Sequence, residues 1–271
     1  MLINTKNIQK ERNRACIENN RFRVLVRGAY NNEKREGTKI KKILSKVRKA
    51  IEDYDMISDG DKIAVGVSGG KDSLVLLLAL SSLQKFYHKK FDLCAITVSL
   101  GFDGFDVSPI KEFCSKIQVP YCVCDTQISQ IVFYERKEKS PCSLCANMRR
   151  GAINEKASEL GCNKVALGHN KDDFIETSIL RLFYEGNFKS FWPVTYLDKT
   201  KLNVIRPLIY VLEKDVKDCV KRNCLPIVKN PCPKDRNSKR EDIKNLINDL
   251  AKENRNLKSN IFGAIRRSTT K

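Results

Sequence analysis

Two periodicities divide the chain. From Thr38 onward, Ile40, Ile43, Leu44, Val47 and Ile51 share one stripe with lysines and arginines opposite, which predicts an amphipathic helix. After a turn at Asp59-Gly60-Asp61, Ile63 to Val67 is a short β-branched run suited to a strand buried on both faces. Leu74 to Leu80 is apolar all round and contains no breaker, as in a buried helix. Phe91 to Leu100 and Val119 to Asp125 read as the next strands, with a short helix over 107–118 between them. Lys164 to His169 is another strand, and Ile175, Ile179, Leu182 and Phe183 mark the apolar stripe of the helix after it. Val204 to Ile209 closes the strands, 212–222 is helical, and a basic helix runs from about Ser238 to Ala251. Strands alternating with helices predict an α/β fold: a doubly wound, mostly parallel sheet with right-handed crossovers and ligands at the carboxyl ends of the strands.

Composition narrows this. A chain of 271 residues can bury one large core, or one core with small appendages. No run approaches the ~20 apolar residues of a membrane span, and the basic N-terminus has no apolar signal core, so a cytoplasmic, reducing compartment is expected. There, eleven cysteines point to metal binding or catalysis rather than a disulfide framework. With only His88 and His169 available, any metal site is mostly sulfur-ligated. The net charge of +19 is uneven: residues 1–50 carry +11, residues 229–271 carry +7, and the body between them only +1. A nearly neutral body with basic ends suits a polyanion gripped at its flanks, RNA or DNA, although solvated tails give the same pattern. Residues 1–37 form a basic, Asn-rich arm without a predicted fold, 38–228 the catalytic domain, and 229–271 a basic C-terminal segment.

The chemistry concentrates in four places. Ser68-Gly69-Gly70-Lys71-Asp72-Ser73 joins the first strand to the buried helix. Its glycines let the backbone turn and approach a ligand, and free N–H groups at a helix N-terminus make an anion site. Lys71 adds a movable charge, Ser68 and Ser73 add hydroxyls, and Asp72 stands where a metal on pyrophosphate could be held. The spacing fits neither GxxxxGK[ST] nor GxGxxG. Backbone near Val98, at the end of the second strand, is a candidate to meet adenine. Cys142 and Cys145 form a CxxC at a helix start, where the dipole favours thiolates; a redox disulfide, half of a zinc site and part of an iron–sulfur site are all compatible. Arg149 and Arg150, on the next turns, face phosphate or solvent. Gly168-His169-Asn170-Lys171-Asp172-Asp173 places two acids at a strand's end, for Mg²⁺ or as a helix cap, while His169 reads as hydrogen-bonded scaffold more readily than as a metal ligand. Asn230-Pro231-Cys232-Pro233 is a stiff turn that fixes a thiol. Cys94, Cys114, Cys122 and Cys124 read as core.

SGGKDS after a strand resembles the PP-loop of the ATP pyrophosphatases, which split ATP into AMP and pyrophosphate. Together with PCSLCANMRRGAINEKASELGCNKVALGHNKDDFIET and NPCP before a basic helix, it resembles the TtcA-like, tRNA 2-thiocytidine branch of that superfamily over roughly Ile40 to Ile265. The resemblance implies a Rossmann-like, adenine nucleotide alpha-hydrolase-like fold. It implies ATP bound by Ser68, Gly69, Gly70, Lys71, Asp72, Ser73, Val98, Arg149, Gly168 and Asp173, and Mg²⁺ held by Asp72 and Asp173. It further implies that Cys142, Cys145 and Cys232 hold a [4Fe–4S] cluster whose fourth iron stays open to carry sulfide. Lys71, Asp72 and the three cysteines are then the catalytic set: ATP adenylates the C2 oxygen of a cytidine, and sulfur replaces it. The implied partners are tRNA and a sulfur donor, a cysteine desulfurase or sulfide, with no membrane; a homodimer is allowed. The family's further cysteine, three positions beyond Cys232, is Asp235 here, a loss that a three-cysteine cluster survives. Two other readings stand beside this one: the same chemistry on uridine or a small metabolite, and a non-catalytic nucleotide- and RNA-binding protein.

Overall fold

The computed structural model describes residues 40–136, 141–229, 231–232 and 239–269, so the N-terminal arm, Cys16, and Asn230 and Pro233 of the predicted stiff turn lie outside the described residues. The chain divides into two units, residues 1–41 and 42–271, and the sheet with its helices from Lys42 onward belongs to the second unit.

Helix α1 (residues 40–53) buries Ile43, Val47 and Ile51 and turns lysines outward, as its stripe predicts. Lys42 and Lys46 on that outer side both reach Asp215, at 2.7 and 2.8 Å. Strand β1 (Asp61–Gly66) is the centre of the sheet, with Ile63, Ala64 and Val65 fully buried. Helix α2 (Lys71–Gln84) is buried along nearly its whole length, which is why its sequence shows no polar face. Strand β2 (Phe91–Ser99), helix α3 (Ser108–Lys116) and strand β3 (Tyr121–Asp125) complete one side of the sheet. Helix α4 (Pro141–Glu159) carries the CxxC and crosses to strand β4 (Lys164–Ala166) on the other side of β1. Helix α5 (Lys171–Glu185), strands β5 (Val194–Leu197) and β6 (Leu202–Ile205), and helices α6 (Glu213–Asn223), α7 (Lys239–Glu253) and α8 (Leu257–Thr269) follow.

The strand order is β3-β2-β1-β4-β6-β5, parallel except where β5 and β6 pair as a hairpin. The order reverses between β1 and β4. That is the point at which an open parallel sheet leaves a crevice at its carboxyl edge.

Four expectations change. The last strand ends at Ile205 because Pro207 cannot donate to a ladder, and a 3₁₀ turn over Pro207–Tyr210 takes its place. The β4 strand stops at Ala166, although Leu167 N–H still reaches Ile205 C=O at 3.0 Å. The antiparallel β5 and the helix α8 are additions. On α5, Ile175 is buried as predicted, but Leu182 and Phe183 are 41% and 58% exposed, so the apolar stripe runs out onto open surface. Among the described residues no helix is long and apolar enough to cross a membrane.

Candidate active site

The crevice between β1 and β4 opens into a cavity of about 530 Å³. Its floor is the end of β1 and the glycine-rich turn, from Gly66 through Ser68 to Asp72 and Ser73. One wall, over β2, is apolar and includes Ile96, Val98, Phe102 and Phe105. The other wall is cationic and aromatic, with Arg149 and Arg150 from α4, Arg181 from α5, Arg240 from α7, and His169, Phe191 and Arg206 from connecting loops.

The floor owes its shape to two close approaches. Gly69 has φ of +79°, and a Cβ there would meet Val228 Cβ at 3.0 Å; its carbonyl accepts Val228 N–H at 3.0 Å. The segment leading to Pro231 and Cys232 is thereby tied to the turn, and Pro231 itself lines the cavity. Gly168 brings the end of β4 against α2, where an added Cβ would lie 3.0 Å from Asp72 C and Ser73 N. Helix α2 starts at Lys71 after Gly70, and among the described residues no side chain caps it, so its first N–H groups are left to the cavity floor.

Lys71 does not line the cavity. Its Nζ lies 2.8 Å from Asp72 Oδ2 and 3.1 Å from Glu213 Oε1. Burial works against its charge, yet those two carboxylates push its pKa up to about 12. Glu213 is gripped by Lys71, Lys217 and Lys244, each at 3.1 Å. Burial opposes its charge as well, but the lysines hold it at about 2.

The two acids of the second turn have separate duties. Asp173 accepts Asn170 N–H at 2.9 Å while Asn170 Oδ1 accepts the N–H groups of Asp172 and Asp173, a closed capping box. Burial lifts the Asp173 pKa, Arg240 lowers it, and the charge of Asp72 adds to the rise. Asn170 Nδ2 also donates to Asp72 Oδ1 at 2.9 Å and so links the two turns. Asp172 instead accepts Glu213 N–H at 2.7 Å and pairs with Lys258 at 2.6 Å, a structural role.

His169 differs from the hydrogen-bonded scaffold expected of it. Among the described residues its buried Nδ1 has no hydrogen-bond partner, and its ring centre lies 4.8 Å from that of Phe191. Burial, with Arg206 and other arginines, depresses its pKa to about 3, so it is neutral in ordinary conditions.

The segments that carry the predicted thiols reach the cavity, α4 through Ala146 and Arg149 and the other through Pro231, but Cys142, Cys145 and Cys232 are not themselves lining residues. Cys142 and Cys145 sit at the start of α4, whose next turns supply Ala146, Arg149 and Arg150 to the lining. Burial raises the Cys145 pKa, contrary to the expected dipole effect; Arg149 lowers it, and Cys232 and Cys142 each raise it further. Cys145 therefore lies within the electrostatic reach of both other thiols. Among the described residues no three His, Cys, Asp or Glu side chains stand close enough to share one metal ion. A single ion needs its thiolates within ~4 Å of one another, from Zn–S bonds of about 2.3 Å, whereas a cluster takes one thiolate per iron and so accepts a wider set. The donor chemistry, three cysteines without histidine, suits iron–sulfur better than a hard cation. Elsewhere Cys94 and Cys162 touch at 3.4 Å in the core, with Cys122 and Cys124 packed beside them.

Of the residues predicted for ATP, Ser68, Asp72, Ser73, Val98, Arg149 and Gly168 line the cavity, while Gly69, Gly70, Lys71 and Asp173 stand behind it as the turn, its ion pair and the opposing cap. Sequence reasoning missed Arg181, Arg206, Arg240, Phe191 and Glu213. Arg240 was visible only as one charge of a basic helix, and Arg206 carried no motif.

The PP-loop domain family model matches residues 37–251. The chain is 36% identical over 236 residues to the tRNA-cytidine(32) 2-sulfurtransferase of Pelobacter propionicus, covering 86% of this chain and 88% of that one. It is 39% identical over 233 residues to the protein of the same name from Syntrophotalea carbinolica, covering 84% and 88%. Among solved structures, the U34-tRNA thiolase NcsA from Methanococcus maripaludis, determined with its [4Fe–4S] cluster, superposes with a TM-score of 0.70 at 27% identity, over 86% of this chain and 79% of that one. The chain belongs to the PP-loop family, in the branch formed by the tRNA-cytidine(32) 2-sulfurtransferases.

Proposed function

We propose that this enzyme is an ATP-dependent tRNA sulfurtransferase that replaces the C2 oxygen of a cytidine with sulfur, at position 32 in keeping with the names of its relatives. One observation carries the reading: the glycine-rich turn, the CxxC helix and the segment bearing Cys232 meet at one cavity, the last of them tied to the turn through Val228 and Gly69.

ATP lies with its phosphates on the uncapped start of α2, where N–H groups and the helix dipole attract anions. Val98 and its apolar neighbours on that wall take the adenine. The C2 oxygen of the cytidine attacks the α-phosphorus, and pyrophosphate leaves. Arg149 offsets the charge that develops, with the N–H groups of the turn beside it. Lys71, fully protonated between Asp72 and Glu213, adds positive charge at the turn and fixes the Asp72 carboxylate. Asp72 and Asp173 would hold Mg²⁺, which needs only one or two protein carboxylates. Adenylation is required because a ring oxygen leaves poorly and AMP leaves well. Cys142, Cys145 and Cys232 would hold a [4Fe–4S] cluster, which when bound would carry sulfur taken from the donor to the site. The sulfur donor is a cysteine desulfurase or sulfide, and the compartment is the cytoplasm, where thiols stay reduced.

The test is anaerobic purification with iron and sulfide counts, followed by incubation with ATP, Mg²⁺, sulfide and tRNA. AMP and 2-thiocytidine should form in equal amounts, and Cys142→Ala or Cys232→Ala should lose iron, colour and thiolation while keeping the fold. A colourless mutant with full activity would defeat the cluster assignment. No AMP from ATP and tRNA would leave only a nucleotide- and RNA-binding protein.

A further inference from the structure

Next in sequence to two residues of the cavity lining, Arg181 and Phe191, the chain leaves large aromatic side chains exposed. Trp192, the chain's one tryptophan, is 54% exposed and directly follows Phe191, which lines the cavity. Phe183 and Tyr184 are 58% and 52% exposed, two and three residues beyond Arg181, which also lines it. Tyr196 on the edge strand β5 is similarly open. Exposed apolar surface rimmed by polar and charged residues marks a binding surface.

This surface is built, not loose. Arg206 lies 5.1 Å over the Phe191 ring, donates from Nη1 to the Trp192 carbonyl, and reaches Thr195 Oγ1 at 3.1 Å; its backbone N–H bonds Pro193 C=O at 3.0 Å. One cavity residue thereby fixes the whole strap from 191 to 195. Lys239 sits 4.2 Å over the Tyr184 ring, and Arg240 beside it bonds Thr177 and the Asp173 carbonyl at the cavity.

The chemistry of this surface selects its occupant. Aromatic rings interleaved with Lys and Arg suit a strand whose bases can stack and whose phosphates need cations. A second copy of this chain packed symmetrically here would set Arg181, Lys239 and Arg240 against the same cations, which opposes the contact. We propose that the strap from Phe191 to Tyr196, with Phe183 and Tyr184, is a stacking lip for unpaired RNA nucleotides flanking the base that enters the cavity. This rests on the tRNA reading, since position 32 of a tRNA lies in the unpaired anticodon loop. Trp192 and Tyr196 stack the neighbouring bases, and Arg206 is the positioning residue that ties the lip to the site.

Because Trp192 is the sole tryptophan, its fluorescence reports directly on the lip. The full chain should be titrated with an anticodon stem-loop and with a fully paired RNA duplex of equal charge. The stem-loop should quench Trp192 and the duplex should not. Phe183→Ala, whose optical probe is intact, should weaken stem-loop binding about tenfold, as expected for one lost stacking contact. Trp192→Leu, followed by a labelled stem-loop, should do the same without changing the slope of affinity against salt, because no charge is removed. Equal quenching by the duplex, or unchanged affinity in both variants, would overturn the proposal. So would a tryptophan signal that shifts with protein concentration alone, alongside dimerisation by ultracentrifugation that Trp192→Leu abolishes. If tRNA is thiolated and tightly bound while these variants bind normally, only the lip is wrong; if no tRNA binds or reacts, the enzyme reading falls with it.

Discussion

Two turns at the carboxyl edge of the sheet have the same construction and opposite chemistry. Gly70-Lys71-Asp72-Ser73 begins α2 after β1, and Asn170-Lys171-Asp172-Asp173 begins α5 after β4. Both put Lys-Asp on the first helical positions. They differ at the cap and three residues after it, Gly and Ser against Asn and Asp. The second turn consumes its own N–H groups in a capping box. The first leaves them open at the cavity floor. Even the shared pair diverges: Lys71 joins Asp72 and Glu213, whereas Lys171 lies 4.8 Å over the Phe262 ring. One turn is therefore built to receive an anion, and its neighbour supplies carboxylates and rigidity.

The two are coupled through Gly168 and Asn170, and the largest predicted effect comes from breaking the first contact. Gly168→Ala forces a Cβ to within 3.0 Å of Asp72 and Ser73 backbone, which cannot swing aside as a side chain would. Overpacking of this kind costs about 1–3 kcal/mol, and displacing the start of α2 should lower AMP formation about a hundredfold. Normal activity in this variant would mean that the two turns need not touch.

Asn170 separates capping from coupling. Asn170→Ala removes both the cap of α5 and the bond to Asp72, and should cost about 2 kcal/mol in denaturant unfolding. Asn170→Asp keeps the cap but replaces the Nδ2 donor with an acceptor facing Asp72 Oδ1. It should retain most of the stability and lose adenylation. If both variants lose activity in proportion to stability, the Asp72 contact has no role of its own.

The sheet and its helices were legible because a strand buried on both faces and a helix buried all round leave uninterrupted apolar runs, as at Ile63 to Val67 and Leu74 to Leu80. The open turn was legible because paired glycines before Lys and Asp announce a backbone that must approach something. The cationic wall was not. Arg181, Arg206 and Arg240 come from three elements, and no spacing in the chain encodes that they converge on one cavity. Glu213 was hidden for the same reason, since its meaning lies in three lysines from α2, α6 and α7. The exposure of Phe183 was invisible because periodicity identifies a face of α5 but not where the covering protein stops.

Acidity distinguishes the two turns again. Helix α5 buries Glu176, whose pKa burial raises to about 7 even though Arg240, 3.3 Å away, pulls it down. A raised carboxylate binds its proton more tightly in the folded state, so this group costs stability as pH climbs from about 4.5 through about 7 and changes nothing further above that. Glu213 acts in the opposite sense and lower down: its pKa is held at about 2, so its stabilisation is complete above about 4.5 and fades as pH falls toward 2. Unfolding free energies of wild type and Glu176→Gln should thus diverge by about 3 kcal/mol between pH 4.5 and 7.5, in favour of the variant at the higher pH. Parallel curves would show that Arg240 fully compensates the burial.

The smallest change is the most direct test, because it converts one turn into the other. Gly70 has φ −76° and ψ 159°, which any residue adopts, and an added Cβ meets only Ser68 Oγ, at 3.4 Å. Gly70→Asn can then accept the N–H groups of Asp72 and Ser73 as Asn170 accepts those of Asp172 and Asp173. A new cap in place of Gly is worth a few tenths of a kcal/mol in stability. The same bonds occupy the donors that ATP requires, so its dissociation constant should rise about tenfold, equivalent to ~1.4 kcal/mol. Stability up and nucleotide affinity down, in one substitution, is the signature of donors held in reserve for an anion. Stability gained with no loss of ATP binding would mean that the phosphates rest elsewhere.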